Sequence, residues 1–438
     1  MKLLCAVFFF STFSLPAFAQ TSVEATPTPV EVVITDSMPA IQTAQKIRPR
    51  VAPTPTPIVV GAPEKMSGPA AVTSPQITPS TVTPLSGSIT SAPPANNSAH
   101  TMSFGQMKSK IAEAKRYMQA RPLATASTEG TVPTDFVRVA FHDWKNNRVD
   151  YFVLNKDAFL SIESEKLVSS EMGRNLRVRT IRGNGVNTPI VVTDDSGETH
   201  LPLMVQYPVV REGRFTETAY YMSTHPGLVT QEVVNAGRYY VRNVIEIARE
   251  RLKEKGIVIQ PKIADIAERL ATVEHVDHTR FRTEYPQNIF NDIFTLYALN
   301  EGQTYRYSVS SAGAGGMVQM IPSTYRMVRS WHPNVPLIPD FVEGMRNHVN
   351  ATEAMLLYMQ RTWTDLVASP TVADAFSSGV ASQDQLMAAG YNSNPAKIAG
   401  YINRGGESWT SLIPRETKIY LQIYDALDKN VPMTPRSR

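Results

Sequence analysis

Glu301-Gly302-Gln303-Thr304-Tyr305-Arg306-Tyr307-Ser308-Val309-Ser310-Ser311-Ala312-Gly313-Ala314-Gly315-Gly316-Met317-Val318-Gln319 is the stretch on which the reading of this chain turns. Just before it, Ile289, Phe290, Ile293, Phe294 and Tyr297 fall on one side of a helix predicted over 287–300. Glu301 therefore closes an apolar helix. The negative end of the helix dipole disfavours a carboxylate at that place, and apolar surroundings act in the same direction. A carboxyl that keeps its proton near neutral pH is what donation to a glycosidic oxygen requires. Gly313 to Gly316 allow the backbone to approach a sugar closely. Gln319 both donates and accepts hydrogen bonds, which suits an N-acetyl group.

The segment continues Met320-Ile321-Pro322-Ser323-Thr324-Tyr325, and two further blocks follow in order. One is Ala389-Gly390-Tyr391-Asn392-Ser393-Asn394-Pro395, the other Leu412-Ile413-Pro414-Arg415-Glu416-Thr417-Lys418-Ile419-Tyr420. Together these blocks resemble the catalytic motifs of the soluble lytic transglycosylase family, over about residues 260–430. The Glu301 to Gln319 separation matches the family pattern without a gap. Ser310, Gly313, Ala314, Gly316, Gln319, Pro322 and Thr324 all fall on matching positions. Gly302 stands where the family has Ser, Val318 where it has Met, and Gly390 where it has Ala. Ser393 and Asn394 replace its Ala-Gly.

The resemblance implies a lysozyme-like helical domain that cleaves peptidoglycan glycan strands, with Glu301 as catalytic acid. It implies a substrate-binding set of Ser310, Gly316, Met317, Gln319, Tyr391 and Asn392, with Tyr391 holding Glu301 in place. In the family, Glu first protonates the glycosidic oxygen and then serves as base toward the muramic C6 hydroxyl, leaving a 1,6-anhydro end. Most glycosidases use two carboxylates. Asp340, Glu343, Glu353 and Glu407 stand as possible second ones, so a lysozyme-type hydrolase of the same fold remains an alternative. A non-catalytic peptidoglycan-binding scaffold protein is another. No metal or other cofactor is expected: His275 and His278 stand at i, i+3 with no third ligand evident.

Upstream, the period of the sequence changes. Val233, Val234, Val241, Val244, Ile245, Ala248 and Leu252 recur at helical spacing over 231–255, with Thr230 and Gly256 as stops. A second helix is predicted over 262–273. Between about 125 and 225 the pattern alternates instead. Phe136 to Phe141 and Val149 to Leu154 flank a polar Lys145-Asn146-Asn147-Arg148 turn, and further paired runs surround Ser196-Gly197 and Glu212-Gly213. Met107, Ile111, Ala112 and Met118 mark a short helix ahead of these strands. Phe141-His142-Asp143 has no nucleophile beside it and reads as structural. The expected class is α+β, with a β-rich accessory module over 103–228, a connecting helix over 229–259 and a mainly helical catalytic domain over 260–438.

Residues 1–19 read as a signal peptide: Lys2, an apolar run from Leu3 to Leu15, and Ala17-Phe18-Ala19 before the cut. Cys5 is the sole cysteine and leaves with it. The product is expected to be exported to the periplasm or cell envelope, with no membrane anchor after cleavage. Residues 20–102 hold fourteen of the 32 prolines among Thr, Ser, Ala and Val, a composition that buries little and favours extended, disordered chain. Through it the protein could reach other cell-envelope proteins. A net charge of +4 with no long basic run excludes a nucleic-acid footprint.

Overall fold

The computed structural model describes residues 100–123, 133–211, 213–307, 310 and 312–437. The leader at 1–19 and the Pro-rich segment up to residue 99 lie outside the described residues. The described residues begin with α1 (Phe104–Ala120). An antiparallel region follows: β1 (Phe136–Asp143), β2 (Arg148–Asn155), α2 (Lys156–Leu160), β3 (Lys166–Ser169), β4 (Asn175–Thr180), β5 (Ile190–Asp194), β6 (Thr199–Arg211) and β7 (Arg214–Tyr221). Helices take over from there: α3 (Gln231–Glu254), α4 (Pro261–Val273), α5 (His278–Thr283), α6 (Pro286–Asn300), α7 (Pro322–Trp331), α8 (Phe341–Arg346), α9 (His348–Val367), α10 (Pro370–Ser377), α11 (Gln383–Asn392), α12 (Ile398–Gly405) and α13 (Arg415–Asn430). The fold is thus mixed, an antiparallel sheet followed by a helical body, as the change of period implied.

The strands form one sheet in the order β2-β1-β6-β5-β4-β3, with β7 also paired to β6. The β1–β2 hairpin closes with Asp143 opposite Arg148, and Asn147 takes the positive φ of 47° that the turn needs. β6 runs long enough to pair with β1, β5 and β7, and bulges at Ala140/Phe141 and Val209/Val210 let the sheet bend along it. Helix α1 starts on a capping box made by Ser103 and Gln106. Its buried stripe of Met107, Ile111, Ala114 and Met118 lies on Ala140, Val149, Tyr151, Leu203 and Met204 of the sheet.

The same apolar cluster includes Val233 of α3 and Ala298 and Leu299 of α6, so the core runs without a break from the sheet into the helical body. Asn300 adds a polar clamp there. Its side chain donates to the Met222 carbonyl at 2.8 Å and accepts from the Met222 amide at 3.0 Å. The span read as a connecting helix is therefore part of the body. α3 buries Val233, Val234, Tyr240, Val241, Val244, Ile245, Ala248 and Leu252. At Gly237 a Cβ would come within 1.8 Å of the Phe294 carbonyl oxygen, so only glycine lets α3 and α6 lie this close.

Candidate functional site

The Gly-rich loop after Tyr307 is held by its own polar groups. Ser310 Oγ accepts from the Ala314 amide at 3.0 Å, and the Ser310 amide donates to the Ala314 carbonyl at 2.9 Å. Gly315 and Met320 pair as an isolated antiparallel bridge. Gln319 Nε2 donates to the Gly316 carbonyl at 2.9 Å. Gly316 has φ of 72°, and a Cβ there would meet the Met345 carbonyl at 2.4 Å, so α8 presses directly on this loop. Glu301, Tyr305 and Gln319 are three of the four non-glycine residues with positive φ among the described residues. Such backbone strain persists only where surrounding packing fixes it, and it tends to gather at functional sites.

Glu301 closes the apolar helix α6, as its place in the sequence implied. It caps the end of α6 with φ of 43°, its side chain is 29% exposed, and Lys108 Nζ of α1 stands 2.7 Å from its Oε1. What it makes is an ion pair across the junction between the helix on the sheet and the helical body. Tyr391 does not hold it: the Tyr391 hydroxyl donates to the Val318 carbonyl at 2.7 Å.

A second helix-end carboxyl, Glu274, is bonded by the last motif block. Helix α4 buries Ile263, Ala264, Ile266, Ala267, Leu270, Ala271 and Val273, and it ends on Glu274. Tyr420, on α13, donates its hydroxyl to Glu274 Oε1 at 2.6 Å. Burial pushes the Glu274 carboxyl up to about 8; the nearby charge of Glu416 adds to this, and the Tyr420 hydrogen bond only partly offsets it. Burial also pushes the Tyr391 and Tyr420 phenols up, and both lie within electrostatic reach of Glu274. Glu274 nevertheless keeps some solvent-accessible surface. A carboxyl raised to about 8 holds its proton at neutral pH.

The residue after Glu274 is bonded to the Gly-rich loop. His275 Nε2 donates to the Met317 carbonyl at 2.9 Å, and its ring stacks on Tyr305 with centroids 3.4 Å apart. Tyr297, in the last turn of α6, donates to the Ala271 carbonyl at 2.8 Å. The turn after Glu301 is fixed by His348, which donates to the Thr304 carbonyl at 2.7 Å while its other ring nitrogen accepts from Tyr240. Burial holds His348 down to about 4, which keeps that tautomer neutral.

Of the residues expected from sequence to bind substrate, Tyr391 lies within electrostatic reach of Glu274, while Gln319, Gly316 and Ser310 belong to the loop that Tyr391 bonds at Val318. Met317 is fully buried, so its side chain packs and only its carbonyl, held by His275, faces the site. Asn392 is the last residue of α11, half-buried beside Tyr391. The suggested second carboxylates lie elsewhere in role: Asp340 caps α8, Glu343 pairs with Arg346 at 2.8 Å, and Glu353 is buried on α9. Glu407 lies in the first turn of the short helix at 406–411. Glu416, in the first turn of α13, is the carboxylate that Glu274 feels.

Both α4 and α6 are apolar helices that end on glutamate; the gapless match from Glu301 to Gln319 is what favours Glu301 in sequence. No family model matches the chain, and no curated protein or solved structure matches it.

Proposed function

We propose that this chain is a peptidoglycan lytic transglycosylase, that its helical body is lysozyme-like, and that Glu274 rather than Glu301 is the catalytic acid. The observation that carries this reading is the buried, proton-bearing carboxyl at the meeting point of the Gly-rich loop, Tyr391 and Tyr420. Tyr420 of the last block bonds the acid, and Tyr391 of the Ala-Gly-Tyr-Asn block, within electrostatic reach of it, bonds the Gly-rich loop at Val318, which supports this reading.

Glu274 gives its proton to the glycosidic oxygen as the C1–O bond of the muramyl residue breaks. Tyr420, bonded to Oε1, leaves Oε2 to carry that proton and then steadies the carboxylate left behind. The carboxylate next takes the proton of the muramyl C6 hydroxyl as that oxygen closes on C1. The hydroxyl is already tethered to the reacting ring, and effective molarities for such steps reach roughly 10⁵ M. The strained loop, pinned by His275 and by α8, fixes Gln319 for the N-acetyl group. An exported site of action rests on the leader at 1–19.

Glu416 favours one second reading. A carboxylate near the acid can position water, which would give hydrolysis. Mass spectrometry of muropeptides released from purified sacculi separates the two. The proposal expects mainly 1,6-anhydromuramyl ends, unchanged by a chelator. Mainly reducing muramyl ends would assign hydrolysis to the Glu274–Glu416 pair.

A further inference from the structure

The site does not end at Tyr391. Its ring meets the ring of Tyr358 on α9 edge-on, with centroids 5.9 Å apart. Tyr358 in turn lies parallel to Trp331, the last residue of α7, at 6.5 Å and an interplanar angle of 1°. Three aromatic rings from three helices thus lead outward from the loop that carries Gln319.

Trp331 is 36% exposed, whereas Trp363 and Trp409 are buried and Trp144 is half-buried. One helical turn before it, Met327 is also exposed, and Ile321 is exposed where α7 leaves the Gly-rich loop. The Arg361 guanidinium stands 5.6 Å from the Trp331 ring centre and is paired with Asp365 at 3.1 Å. A part-exposed indole with a guanidinium over its ring and a carboxylate paired to that guanidinium offers a sugar both kinds of contact: apolar surface for its carbon-bound hydrogens and charged groups for its hydroxyl and acetamido groups. A polymer held at Glu274 must leave the site in some direction, and the ring contacts from Tyr391 through Tyr358 to Trp331 point in one.

We infer that Trp331, backed by Tyr358 and rimmed by Arg361, is a remote subsite for a β-1,4-linked N-acetylhexosamine strand, outside the residues that touch the bond being cut. The inference rests on the proposed glycan-cleaving site for its direction, and its test is independent of turnover. The probe is the hexamer of N-acetylglucosamine, titrated calorimetrically into the full chain carrying Glu274→Gln, with and without Trp331→Ala or Trp331→Phe. Far-ultraviolet dichroism and melting confirm that each variant is folded.

Loss of one stacked face should weaken hexamer binding about 10-fold in Trp331→Ala, equivalent to about 1.4 kcal/mol, and Trp331→Phe should recover most of it. Sacculus digestion by the unmodified chain runs alongside. Digestion with equal hexamer affinity in all forms overturns the subsite and leaves the catalytic reading standing. Trp331-dependent binding without digestion supports the subsite and overturns the catalytic reading. Absence of hexamer binding in every form overturns the subsite.

Discussion

The acidity of Glu274 has a consequence for stability that can be measured without any substrate. An ordinary glutamate ionises near 4.5, whereas burial pushes this one to about 8 in the folded chain. Between those values the folded state holds a proton that the unfolded chain has released. The associated stability is therefore fully present below about 4.5 and is lost as pH rises through about 8. From pH 6 to pH 9 the loss at this one site comes to about 2–3 kcal/mol. Glu274→Gln removes the titration while keeping a side chain of nearly the same shape beside Tyr420. Urea unfolding followed by circular dichroism, on both proteins at pH 6 and pH 9, isolates the effect, because other groups cancel in the difference. The stability of the variant relative to the unmodified chain should rise by about 2–3 kcal/mol between the two pH values. A difference constant to within about 0.5 kcal/mol would mean that Glu274 ionises like an exposed carboxyl, and the acid assignment would lose its basis.

Tyr420→Phe deletes the hydroxyl that favours the charged form of Glu274. Muropeptide release should fall by about 10-fold and its alkaline limb should move to higher pH, since the lost bond had been holding the carboxyl down; a slower rate with an unmoved limb would count against the pairing. Gly316→Ala places a Cβ against the Met345 carbonyl at a φ that side chains avoid. It should cost about 1–3 kcal/mol in thermal unfolding, and an unchanged melting temperature would show that the loop is not pressed on α8 as described.

Local chemistry made most of the fold legible. Alternation around Asn146-Asn147 and Ser196-Gly197 fixed the hairpins, and the stripes of Met107 to Met118 and Val233 to Leu252 fixed α1 and α3. What a linear reading missed depends on contacts between distant residues. α3 reads as a connector until Gly237 is seen against Phe294, because an amphipathic stripe does not name its partner. The proposed move of the acid from Glu301 to Glu274 has the same origin. Spacing along the chain selects Glu301, but α5 and α6 intervene and carry that residue to Lys108, 193 positions away. The hydroxyl that marks Glu274 comes from Tyr420, 146 positions on. Which glutamate the Gly-rich loop and the later blocks serve is a question of packing that the order of residues leaves open.

The central claim is that the proton comes from Glu274. Release of muropeptides from purified sacculi, quantified for the unmodified chain, Glu274→Gln and Glu301→Gln, tests it most directly. Glu274→Gln should lose at least about 100-fold in rate, the scale of a general acid's contribution, while Glu301→Gln, which loses only the contact with Lys108, should stay within about threefold. Near-normal release by Glu274→Gln together with a collapse in Glu301→Gln would contradict the account and return the chemistry to the end of α6.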